Sequence, residues 1–423
     1  MKKFILLLFL FFPAVLLAQN VSGRLGSSFY TFSRAGSEDV SKLNLMTFQS
    51  VYLNVTKSQF SLKTRLNLQT NSANTLAEER LRVYNLYFEA RNILDVATIQ
   101  AGRLPVFNRI AGGLVDGLNL KVKTSDIIVS GFGGGNIPAY QKFNFMQNLQ
   151  DNYIFGGKIT TTALQDFRFS VGYVNKNYKS PDYYSTRLDD ELNPIEVLIS
   201  NNSLKYQYVS GEANYNLKNI TNVNVKYDFD INLEKTSKFE ASGRYDQIEN
   251  LGISLYYNYR EPRVRYNSIF SVFDYGNTQE IEGGVDYKVI PEVTALCKVA
   301  NVTYKGDNSQ RITVGALTQY GSLTYRKNMG YSGEMDAVSV SGSYALLDGV
   351  LTPSLGLAFT NYKLSEDAET NNITSVLAGC NIRAKRYLSF DVQGQYFNNK
   401  IYSNDMRLLF KINYWFNSNL NLL

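Results

Sequence analysis

The sequence predicts an all-β chain, a membrane-crossing antiparallel up-and-down β-barrel with an even number of strands, 22 by direct count within a range of 16 to 22. Three observations carry this. From residue 20 onward, segments of about ten residues alternate apolar and polar side chains, the period of a strand with one apolar and one wet face. The connectors between these segments alternate between short and long. No run of about 18 apolar residues follows the first segment, so the rest of the chain offers no membrane helix.

The N-terminal segment stands outside the fold. Lys2 and Lys3 precede an apolar run from Phe4 to Leu17, and Ala18 before Gln19 is the expected cleavage position, so residues 1–18 read as a signal peptide and 19–423 as the barrel. Leu16 departs from the small-residue rule at the third position before the cut. The alternative is an N-terminal anchor, for which this run is short. No cysteine follows the run to carry a lipid.

The strands are expected, in order, at 21–32, 42–55, 60–69, 82–92, 95–103, 116–124, 127–134, 152–161, 166–176, 203–216 and 221–233. A second set follows at 236–246, 250–261, 279–289, 293–305, 309–319, 321–328, 334–346, 351–363, 373–385, 387–398 and 403–416. The third strand shows the pattern most fully. Phe60, Leu62, Thr64, Leu66 and Leu68 share one face, and Ser61, Lys63, Arg65, Asn67 and Gln69 share the other. Val223, Val225, Tyr227, Phe229 and Ile231 likewise oppose Asn222, Asn224, Lys226, Asp228 and Asp230. In a soluble sandwich the apolar face would pack on a second sheet; in a membrane barrel it faces lipid while the charged face lines water.

Connector lengths decide between the two. Turns after even-numbered strands are tight, as at 56–59, 93–94 and 125–126, whereas most connectors after odd-numbered strands are long and polar, as at 33–41, 70–81, 135–151 and 177–202. Short turns at one end and long loops at the other mark a membrane barrel. A strand of about 11 residues, rising about 3.3 Å per residue and tilted near 40°, spans roughly 28 Å, enough for an apolar band about 25 Å tall. Tyr and Phe gather at strand ends, as in Tyr183 and Tyr184, Tyr256, Tyr257 and Tyr259, and Tyr414 to Phe416, where an interfacial girdle would hold amphipathic rings.

Composition removes whole classes of chemistry. The 423 residues include no His, two Cys and one Trp, beside 31 Tyr and 25 Phe. Without His there is no Ser-His-Asp triad, no His general base and no His-ligated metal, so no catalytic residue, metal site or cofactor is expected. Cys297 and Cys380 lie on strands that are not neighbours, each on an apolar face, which fits small lipid-facing side chains rather than a disulfide. The formal charge of +6 becomes +4 when Lys2 and Lys3 leave with the signal peptide. Spread that thinly, it gives no case for nucleic acid.

The whole chain after residue 18 resembles the Gram-negative outer-membrane porins. The most specific local match is Gly102-Arg103-Leu104-Pro105 followed by Gly112-Gly113-Leu114-Val115-Asp116-Gly117, which is similar to the Gly-Arg strand end, infolded third loop and Asp-Gly return of porin families. One departure is the tail Asn417 to Leu423 beyond Phe416, since porins end on an aromatic residue. The resemblance implies a third long loop near 104–116 that folds inward. It would set Asn108, Arg109 and Asp116 at a constriction facing Arg65, Arg103, Lys121 and Lys123, where a transverse field would orient solutes. The plainer reading makes these solvated wall residues. A second basic knot, Arg260, Arg263 and Arg265, could grip an anion or pair with lumen carboxylates.

The resemblance implies export to the outer membrane through the barrel-assembly machinery, lipid around the barrel, small hydrophilic solutes or ions as cargo, and an open question of homo-oligomers. Three functions compete. The first is a passive diffusion channel, which is not an enzyme. The second is a plugged or substrate-specific transporter, although Val21 to Phe32 already reads as a strand and leaves no room for a plug domain before it. The third is a non-conducting structural or adhesive barrel. A lumen of 22 strands is wide enough that such barrels are commonly filled, so either some shorter segments do not span or loops such as 177–202 and 261–278 fold inward.

Overall fold

The computed structural model describes residues 20–35, 42–71, 80–106, 112–137, 145–146, 148–179, 182–189, 191–200, 206–218, 220–262, 276–331, 333–365 and 368–419. The expected signal peptide, 1–18, lies outside them. The first strands are β1 (Asn20–Ala35), β2 (Lys42–Lys57), β3 (Phe60–Asn71), β4 (Arg80–Ile93), β5 (Ala97–Val106), β6 (Gly113–Lys123), β7 (Ile127–Ile137), β8 (Tyr153–Thr161) and β9 (Phe167–Lys176). A hairpin follows, β10 (Tyr183–Leu188) and β11 (Pro194–Ile199), then β12 (Tyr206–Leu217), β13 (Thr221–Asp230), β14 (Lys235–Tyr245), β15 (Leu251–Arg260), β16 (Thr278–Ile290), β17 (Val293–Tyr304) and β18 (Asp307–Thr318). The chain ends through β19 (Gly321–Gly330), β20 (Glu334–Ser343), β21 (Leu351–Lys363), β22 (Asn371–Lys385), β23 (Leu388–Asn398) and β24 (Asn404–Asn419).

Strands β1–β9 and β12–β24 form one 22-stranded antiparallel sheet. It closes on itself because β1 pairs with both β2 and β24. Closure satisfies every edge, the condition for a sheet in lipid. The segments expected at 95–103, 116–124 and 321–328 are full ladder members, β5, β6 and β19. Two expectations need correction. β24 runs past Phe416 to Asn419, with Asn417 opposite Ser22 and Asn419 opposite Asn20, because β1 itself starts early enough to supply partners. The connector after β9 is also no plain loop: β10 and β11 pair from Tyr183↔Ile199 to Leu188↔Pro194, apart from the barrel sheet. Asp189 closes that hairpin by accepting the backbone N–H groups of Asn193 at 2.8 Å and Glu191 at 2.9 Å. The Asn193 N–H foremost holds its carboxyl below the usual range.

Pleat alternation assigns each side chain to the lumen or the lipid face. Leu118, Leu120, Phe155, Ile159 and Val171 are outward and exposed, as lipid contact requires. Cys297, opposite Val285 and Val314, and Cys380, opposite Val392, share that face and are free thiols. Aromatic pairs recur around the short-turn end: Phe60 with Phe88, Phe167 with Tyr215, Tyr320 with Tyr344, and Tyr387 with Tyr414, their centroids 5.6, 4.5, 5.2 and 5.8 Å apart. Trp415 is not in this girdle. It lies opposite Arg24 on the lumen face, between outward Tyr414 and Phe416.

The barrel wall is not evenly curved. On β5–β9 and β12 the inward side chains Leu104, Val106, Val115, Ile154, Val174 and Tyr208 pack into an apolar cluster, with Leu104 only 1% exposed. Inward side chains bury one another like this where the sheet curls tightly, and they fill that side of the lumen. On β3 and β4 the opposite holds: outward Thr64, Leu66 and Val83 are buried. A lipid-facing cleft of about 680 Å³ opens beside them, between Leu25, Val51, Leu53, Ile412, Tyr414 and Phe416.

Candidate functional site

The candidate site is the lumen wall, and the register decides which charges belong to it. Of the expected constriction residues, Arg65, Lys121 and Lys123 face the lumen, on the same faces as Lys63 and Asn119. Asn108, Arg109, Arg263 and Arg265 lie outside the described residues. Arg260 is lumen-facing, opposite Thr278 and Lys238.

Arg103 and Asp116 are a correction. They are direct partners across β5 and β6, and each shares a face with outward Ala101 and Leu118 rather than inward Gln100 and Asn119. Their side chains are 3% and 7% exposed, and two N–H groups of Arg103 donate to the two oxygens of Asp116 at 2.8 and 2.9 Å. Residues of the β7–β8 connector cover the pair. Met146 donates its backbone N–H to Asp116 Oδ2 at 3.0 Å, and the Phe145 ring lies 5.7 Å from the guanidinium. The expected infolded loop, 104–116, is likewise mostly ladder. β5 runs to Val106 and β6 begins at Gly113, so the connector is only 107–112. Bidentate pairing of Arg103 with Asp116 fastens the two strands where a loop was expected to leave them.

What faces the lumen instead falls into two unlike halves. On β1–β9 the inward charges include Arg24, Lys63, Arg65, Arg82, Lys121 and Lys123, and among the described side chains one carboxylate, Glu89, stands with them. Glu89 is buried at the centre of a polar knot. It accepts from Lys63 Nζ at 2.8 Å, from Gln100 Nε2 at 2.6 Å and from Arg91; Gln100 in turn accepts from Asn119 Nδ2 at 2.8 Å. One acid thus holds two cations and two amides in a fixed arrangement.

The facing half, β13–β18, is balanced. Arg311 bridges Glu280 and Glu282, Lys298 reaches Glu282 at 3.2 Å, and Arg244 is bidentate to Asp286 at 2.7 and 2.9 Å. Lys226 pairs with Glu240 at 3.2 Å. Of these, Arg244, Glu280, Glu282, Lys298 and Arg311 line a groove of about 530 Å³ beside Tyr256. Within these pairs the charges cancel locally, unlike the excess of cations on β1–β9.

The alternation of the sequence did not single out Glu89 or Arg24, and it placed Trp415 in the girdle rather than on the lumen face. The alternation Glu89-Ala90-Arg91 was visible, but that Lys63 and Gln100 converge on Glu89 follows only from register. Among the described residues no cluster of His, Cys, Asp and Glu is arranged to hold a metal ion.

No protein-family model matches the chain, and no curated protein matches it. Among solved structures the chain is similar to OccAB4 of Acinetobacter baumannii, at 11% identity over 95% of this chain and 100% of that one, with a TM-score of 0.43. It is also similar to Pseudomonas aeruginosa OpdK, determined with vanillate, at 10% identity over 94% and 99% of the two chains, TM-score 0.41. The translocation pore of the P pilus usher PapC matches at 8% identity over 94% and 99%, TM-score 0.42. Likeness at this level assigns no function.

Proposed function

We propose that the chain is an outer-membrane porin, a water-filled channel through which small hydrophilic solutes diffuse passively, delivered to the membrane after a signal peptide is removed. The observation that carries this is the division of one closed sheet into an exposed apolar outer face and a charged inner face. An outer face of that kind needs lipid, and an inner face of that kind needs water. Both chain ends meet at the short-turn end, with Asn20 opposite Asn419 and beside the β2–β3 turn at Thr56, the periplasmic end in such barrels. The apolar packing on β5–β12 takes up one side of a wide lumen, and the path for water runs along the charged walls beside it.

The test is conductance. Purified protein in a planar bilayer is expected to give discrete ohmic steps; a folded, heat-modifiable barrel that never conducts would leave a structural barrel. Selectivity supplies a sharper prediction. Glu89→Gln removes the one described inward carboxylate of β1–β9 and takes the charged partner from Lys63 and Arg91. Under a KCl gradient the reversal potential should move toward the chloride value, and the shift should shrink in high salt as screening lengths fall to about 3 Å near 1 M. An unchanged potential would mean that ions do not pass this wall.

A further inference from the structure

We infer that one ladder row at the periplasmic end of the lumen is a binding site for a flat dianion. The row runs across five adjacent strands: Trp415 on β24 opposite Arg24 on β1, Arg24 opposite Tyr52 on β2, Tyr52 opposite Arg65 on β3, and Arg65 opposite Asn85 on β4. Aromatic and guanidinium side chains therefore alternate along one line. Arg386, from the turn between β22 and β23, joins them around a cavity of about 700 Å³. That size lies inside the range of about 300–1,000 Å³ typical of small-molecule sites.

The charge is uncompensated. Arg24, Arg65 and Arg386 form no ion pair among the described residues, and no carboxylate lines the cavity. Arg65 is steadied by the Tyr84 ring, 5.4 Å away, which fixes the guanidinium without neutralising it. On the facing wall Lys226, Arg244, Lys298 and Arg311 are instead matched by Glu240, Asp286, Glu282 and Glu280. An unmatched guanidinium cluster attracts oxyanions, and each planar fork suits a carboxylate.

The spacing makes the ligand a dianion. Arg24 and Arg65 are separated by Tyr52, so their strands stand two spacings apart, roughly 10 Å. A solute with acids at both ends and a flat body between them can meet both arginines while its ring lies on Tyr52. The Tyr52 and Trp415 rings are 40% and 39% exposed, open for stacking. The inference deepens the proposed channel by naming its preferred solute class and rests on that reading for the solute's route, but its test does not need conduction.

Trp415 is the only tryptophan in the chain, so its fluorescence reports on this site alone. Titrating the full-length folded barrel in detergent with terephthalate should give a saturable change in Trp415 emission, with benzoate at least about tenfold weaker because one charge-assisted contact is lost. Arg24→Ala and Arg65→Ala should each weaken terephthalate by on the order of tenfold, while Lys123→Ala, on the same half but outside the row, should not. A flat titration, or one indifferent to Arg24→Ala and Arg65→Ala in barrels that stay heat-modifiable, overturns the site. A normal titration in a barrel that does not conduct keeps the site and removes the porin reading. Conduction with a flat titration does the reverse.

Discussion

Asp116→Ala should cost the barrel about 3–5 kcal/mol, because it removes the bidentate partner of the Arg103 guanidinium in a site where both side chains are almost fully enclosed. The loss would appear in urea titrations followed by heat-modifiable mobility, as a lower midpoint with an unchanged slope. The double variant Arg103→Met with Asp116→Leu should recover most of it, since an apolar pair of similar volume avoids burying an unpaired charge. Single-channel conductance should change little in that double variant, because the pair faces away from the lumen. A large drop in conductance without loss of stability would return Arg103 and Asp116 to the channel wall.

Gly117→Val should prevent a folded barrel from being recovered at all. Gly117 sits between Gly102 and Gly134 in a row where the backbones approach closely. A Cβ at Gly117 would lie 2.1 Å from the Gly133 carbonyl oxygen and 2.8 Å from the Gly134 Cα, both backbone atoms that cannot swing aside. At Gly102, where φ is +126°, a Cβ would lie 2.5 Å from the Leu86 carbonyl oxygen. The control is Gly211 on β12, where an added Cβ meets nothing within 4 Å, so Gly211→Ala should fold normally. Refolding yield on urea dilution separates the two outcomes.

Strand number and closure could be read from the sequence because alternation is a local property, repeated in every strand and reinforced by turns such as Lys305-Gly306, both at positive φ. Register could not be read. Arg103 follows Gly102 and looks like a strand end, and only its pairing with Asp116 shows that the ladder continues to Val106 and Gly113. Face assignment failed at the same place because Leu104 and Val115 are apolar side chains pointing inward, against the expected pattern. The β10–β11 hairpin escaped notice because its side chains are polar and apolar without a strict period. The aromatic and guanidinium row was hidden for a different reason: its members are contributed by the two ends of the chain.

That last point bears on the order of folding events. The β1–β24 ladder runs the length of both strands, from Asn20↔Asn419 to Ala35↔Asn404, and joins the first strand of the barrel to the last. Pairing at such sequence separation is slow and comes late. The row Trp415–Arg24–Tyr52 therefore does not exist in an open sheet, however complete its other hairpins. Binding at Trp415 would mark the moment of closure, giving a kinetic clock for the final step of barrel assembly.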